Sequence, residues 1–94
     1  MALSSREILT QSNRIGVQFL LADLKMALTF LDVALITATG ETHTRNLDHA
    51  RRVYETVLRL LCRVVPSAEE SAELAVRIAE LKRRLQDAGC SVES

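Results

Sequence analysis

Tryptophan is absent, and aromatic residues make up only 3% of the chain, as Phe19, Phe30 and Tyr54. Sequence-tolerant nucleic-acid surfaces interleave aromatic faces with basic side chains, so nucleic acid is disfavoured as a partner. Three glycines and one proline in 94 residues leave no glycine-rich loop to cradle a phosphate and few turns for an all-β chain. The two cysteines, Cys62 and Cys90, are too few for a disulfide framework or a cysteine-based zinc site. Twelve basic and twelve acidic side chains cancel to a net charge of +0, which removes a global field that would announce a polyanion or a membrane surface. The longest apolar stretch is interrupted by Asp23, Lys25 and Asp32. An Asp or Lys at the centre of a span costs about 2.5–3.5 kcal/mol, so no membrane span is expected. The first sixteen residues lack the basic, apolar and small-residue segments of an export signal, and cytoplasmic residence is the expectation.

What remains is a chain that is 48% hydrophobic and 26% charged, enough to bury one core and to exclude wholesale disorder. Strand-type alternation is missing and helical spacing is everywhere. The fold class predicted is all-α: an antiparallel, up-down-up bundle of three helices in one domain, because the short connections leave no room for a parallel return.

The first helix is expected over residues 13–39. Ser4 and Glu7 have the spacing of a capping box, so a continuous helix from about residue 5 is the alternative to a short arm broken at Gly16. Val17, Leu21, Leu24, Leu28, Leu31, Leu35 and Ala38 repeat at three-four spacing as the core stripe, flanked by Leu20, Ala27 and Ala34. A second set, Phe19, Ala22, Met26, Phe30 and Val33, lies roughly opposite. Together they span an apolar arc on the order of 250°, against about 100° for an ordinary surface helix. Covering Phe19, Met26, Phe30 and Val33 is worth about 6–12 kcal/mol per chain, against an association cost of about 4–15 kcal/mol. A homodimer through that second face is the leading expectation; complete coverage within one chain is the alternative.

The second helix is expected over residues 45–65, with Thr44 as its N-cap and Pro66 beyond its end. Arg45, Arg52, Arg59 and Arg63, with His49 and Thr56, fall along one line of it. That stripe suits an anion or an acidic helical partner, or it pairs with Glu69, Glu73 or Glu80 of the third helix. Asp48 with Arg52 and Glu55 with Arg59 are spaced for support within the helix. The third helix is expected over residues 68–88, opened by a Ser67–Glu70 capping box and closed at Gly89, with residues 90–94 as a disordered tail.

Few residues suggest chemistry. Asp23 lies on an apolar side of the first helix and could serve as a general acid or base, but pairing with an Arg or the Tyr54 hydroxyl is expected. Cys62 reads as a small buried hydrophobe and Cys90 as an exposed thiol. His43 reads as a loop residue and His49 as solvent-facing, with no carboxylate-x-x-His repeat for a metal pair. No catalytic, cofactor or metal residue is assigned, and a non-enzymatic interaction module is the expected function. The alternative is anion or nucleic-acid binding through the Arg stripe.

The segments FLLADLKMALTFLDVA and RNLDHARRVYETVLRLL resemble short bacterial helical proteins of unassigned function. The spacing of Ala50 and Tyr54 is similar to that in microtubule-interacting-and-transport domains and tetratricopeptide helices. That likeness implies a scaffold or adaptor that takes peptide segments in interhelical grooves. The chain has no repeat of about 34 residues, so a tetratricopeptide array is not implied.

Overall fold

The computed structural model describes residues 4–37 and 40–90. Three helices carry the chain: α1, Ser5–Thr37; α2, Glu41–Leu61; and α3, Ala68–Asp87. No strand occurs among the described residues. Asn13, near the start of α1, meets Val65 in the α2–α3 link, while Asp32, near the end of α1, meets Arg84 near the end of α3. Those two tethers fix the order as up-down-up. With 33 residues, α1 is roughly 50 Å long and sets the longest dimension, 55 Å, against 23 and 18 Å across. It packs most extensively on α2 and less on α3, and α2 and α3 touch least.

The first helix runs unbroken from Ser5, the longer of the two expectations. The Glu7 N–H donates to Ser4 Oγ at 3.2 Å, which satisfies one of the free donors of the first turn. Gly16 does not interrupt it. A Cβ built there would lie 2.9 Å from Val64 Cγ1, so the glycine is where the α2–α3 link crosses close over α1. Nearby, Asn13 Nδ2 donates to the Val65 carbonyl at 2.6 Å and Asn13 Oδ1 accepts from the Val65 N–H at 2.5 Å. This two-bond clasp holds that link down.

The N-cap of α2 is Gly40, not Thr44. Gly40 has φ 94°, which glycine adopts without a Cβ penalty, and the chain turns into α2 four residues earlier than the hydroxyl suggests. Thr44 Oγ1 instead donates back to the Gly40 carbonyl at 3.2 Å. The far end of α2 also comes early. It closes at Leu61, because Val65 precedes proline and is pushed from helical angles; Arg63 and Val64 then donate to the Leu60 and Leu61 carbonyls in tight turns.

The opening of α3 follows expectation. The Glu70 N–H donates to Ser67 Oγ at 3.1 Å and the Ser67 N–H to Glu70 Oε1 at 2.8 Å. At its end Gly89, φ 89°, donates to the Gln86 carbonyl, and Cys90 reaches back to the Leu85 carbonyl at 2.9 Å. That pair of bonds is a Schellman motif. Cys90 packs half-buried on the core, contrary to its expected exposure; residues 91–94 of the expected tail lie outside the described residues.

The core is built from Val17, Leu20, Leu24, Ala27, Leu28, Leu31 and Ala34 of α1, Ala50, Tyr54 and Val57 of α2, and Leu74, Leu81 and Leu85 of α3. Relative to the sequence reading, the buried stripe of α1 is rotated toward α2. Leu20, Ala27 and Ala34 are central, Leu21 is at an edge, and Leu35 is 67% exposed. Ala38 lies outside the described residues. Cys62, expected to be buried, is exposed at the C-cap of α2, because the helix ends there rather than carrying it onward past the core.

Candidate interaction face

On the side of α1 turned away from the core, Ile15, Phe19, Ala22, Met26 and Val33 follow one another at helical spacing and all are exposed. Phe19 is 61% exposed, Met26 54%, Val33 38% and Ile15 64%. A large side chain presents roughly 150–200 Å² when fully open, so these fractions leave on the order of 400 Å² of apolar surface, a size often functional on a monomer. Of the four residues expected to form the contact, Phe30 is the exception. It packs half-buried at the α1–α2 seam, with its ring centroid 4.4 Å from that of His49 at 53°. Phe30 therefore belongs partly to the bundle, and His49, although exposed, has an aromatic neighbour. Ile15 was not among the residues the sequence reading placed on this face, which began at Phe19.

The basic stripe is divided, and its last member, Arg63, lies in the turn beyond the end of α2 at Leu61. Arg45 pairs with Glu41 at 2.9 Å and Arg52 with Asp48 at 3.1 Å, and Asp48 also holds Arg51 at 2.8 Å. Arg59 and Arg63 make no ion pair among the described residues, and Glu55 does not close on Arg59. The expected pairing with Glu69, Glu73 or Glu80 does not occur. Carboxylates one turn away on α2 take Arg45 and Arg52 instead.

Two concavities lie towards opposite ends of the bundle. The first is a shallow groove of about 320 Å³ at the α1–α2 seam, lined mainly by Ile15, Gly16, Phe19, Leu60, Arg63 and Val64. The second, about 280 Å³, opens at the other end of the bundle, where Leu31, Leu35, Leu47 and His43 face Arg83 and Arg84. There Arg84 is bound to Asp32, Arg83 pairs with Asp87 at 3.4 Å, and His43 Nδ1 lies 2.8 Å from the Ala34 carbonyl. His43 is thus inside α2 and tied to α1, not in a loop. Leu35, 67% exposed, lines this opening.

Little here could do chemistry. Asp23 is half-buried and makes no ion pair or hydrogen bond among the described residues, so the expected pairing with an Arg or Tyr54 is not formed. Tyr54 is 2% exposed, and burial raises the pKa of its phenol above the ordinary tyrosine value. Cys62 Sγ donates to the Arg59 carbonyl at 3.1 Å and has no histidine beside it. Among the described residues no group of three or more His, Cys, Asp or Glu side chains could hold a metal ion, and no helix is long and apolar enough to cross a membrane.

The fold and the exposed α1 stripe define an all-α three-helix bundle with an uncovered apolar face. No protein-family model matches the chain, nor does any curated protein or solved structure.

Proposed function

We propose that this protein is a non-enzymatic interaction module that self-associates through the outward stripe of α1. The observation that carries this reading is the exposure of Phe19, Met26 and Val33 after α2 and α3 have covered the opposite side of the helix. About 400 Å² of apolar surface at ~25 cal/mol per Å² is worth roughly 10 kcal/mol per chain. Burial on both chains of a symmetric pair works against an association cost of about 4–15 kcal/mol, together with side-chain ordering and polar desolvation at the rim. Ile15 is part of that area, while Phe30 contributes from its edge.

The alternative, capture of an anion or nucleic acid by Arg45, Arg52, Arg59 and Arg63, starts with Arg45 and Arg52 already partly neutralised by Glu41 and Asp48. Self-association is therefore the favoured function. It is tested by light scattering on the wild type and on the double variant Phe19→Glu, Met26→Glu. These positions are chosen because they are more than half exposed, so the fold does not depend on them. The wild type should show the mass of two chains and the variant the mass of one, with equal helix content. A wild type that stays at one chain at high micromolar concentration, or a variant that still pairs, overturns the reading.

A further inference from the structure

We propose that the groove at the Gly16 end of the α1–α2 seam receives an acidic amphipathic helix from another protein. The groove has an apolar floor of Ile15, Phe19, Leu60 and Val64, with Arg63 at its rim. Four residues earlier, in the last turn of α2, is Arg59, and neither guanidinium has an ion-pair partner among the described residues. The surrounding sequence is one-signed. Residues 8–22 of α1 and 56–65 of α2 and its link contain Arg14, Arg59 and Arg63 and no carboxylate. Glu69 and Glu70, at the same end of the bundle, belong to α3; Glu70 accepts from the Ser67 N–H and neither lines the groove.

A floor of this kind takes the apolar side chains that recur along one face of a helix. The unpaired guanidinia take carboxylates flanking that face, and bidentate geometry favours carboxylate over a point contact. A second copy of this chain would also cover Ile15 and Phe19, but a carboxylate-flanked helix in addition matches the charge of Arg59 and Arg63. The acidic helix shares Ile15 and Phe19 with the self-pairing stripe and displaces the second copy, but its binding does not depend on self-association.

The test uses the whole chain and two synthetic helices with the same leucine face, one flanked by glutamates and the other by lysines. Backbone amide shifts should locate the Glu-flanked helix at Ile15, Gly16, Phe19 and Leu60. Its binding should weaken about tenfold between low and physiological salt, whereas apolar self-association, read as mass without peptide, should not weaken. The double variant Arg59→Glu, Arg63→Glu, both positions being solvent-exposed, should bind the Glu-flanked helix at least about tenfold more weakly and now accept the Lys-flanked twin. Equal binding of the two helices, shifts on another face, or an unaffected variant overturns the proposal. So does binding to phosphatidylserine vesicles or duplex DNA without binding to the Glu-flanked helix.

Discussion

Replacing Gly16 by alanine sets two effects of similar size against each other. Alanine in a helix interior is favoured over glycine by about 0.8–1.0 kcal/mol, and α1 runs straight through this position. The added methyl would, however, sit 2.9 Å from Val64 Cγ1, well inside ordinary carbon–carbon contact of about 3.5–4.0 Å. Val64 is β-branched and stiff at χ1, and its link is clasped by Asn13 through two hydrogen bonds, so the methyl cannot easily be accommodated by rotation. Overpacking of this kind costs about 1–3 kcal/mol. The single variant should therefore lose up to about 2 kcal/mol net despite the helix gain. With Val64→Ala as partner the obstruction is removed and the helix gain appears. Urea unfolding of the two single variants and the double should give a coupling of at least about 1 kcal/mol, the double being more stable than the sum of the singles predicts. Additivity within about 0.3 kcal/mol would refute the close crossing of the link over α1.

Three further outcomes follow from the same packing. Ser67→Ala removes one half of a reciprocal cap and should cost about 1 kcal/mol of unfolding free energy, with Thr at that position restoring most of it. Because burial raises the Tyr54 pKa, the folded state holds the phenol proton more tightly than the unfolded chain. The contribution is fully present below the ordinary tyrosine value of about 10 and is lost as pH rises through the folded value; thermal melts from neutral to strongly alkaline pH should show this loss, and Tyr54→Phe should remove that component. Asp32→Ala, whose side chain is 62% exposed where it meets Arg84, should cost no more than about 1 kcal/mol by chemical denaturation.

Helical spacing made the three helices legible, and Ser67 with Glu70 located the start of α3 to the residue. The misplaced boundaries share a cause: competing local signals that tertiary contact decides. Thr44 is a sound cap by chemistry, but Gly40 at φ 94° lets α2 begin earlier. Gly16 is a breaker by propensity, yet the missing Cβ is what admits Val64. The outward face of α1 was readable because Phe19, Met26 and Val33 repeat at helical spacing. What periodicity could not reveal was which neighbour covers which edge, so Phe30 was placed on the open face although its ring meets His49. The Arg stripe was readable as a line, but its division into paired and unpaired halves depends on rotamers that reach Glu41 and Asp48 and on Glu55 not reaching Arg59.

The outward stripe of α1 as a surface sealed by another copy is tested most directly at the Met26 methyl group. In a sample mixing isotope-labelled and unlabelled chains, filtered nuclear Overhauser spectra should connect that methyl to Phe19, Ile15, Met26 or Val33 of the other chain. A Met26 methyl that sees no other chain, in a sample concentrated enough for pairing, would contradict the account.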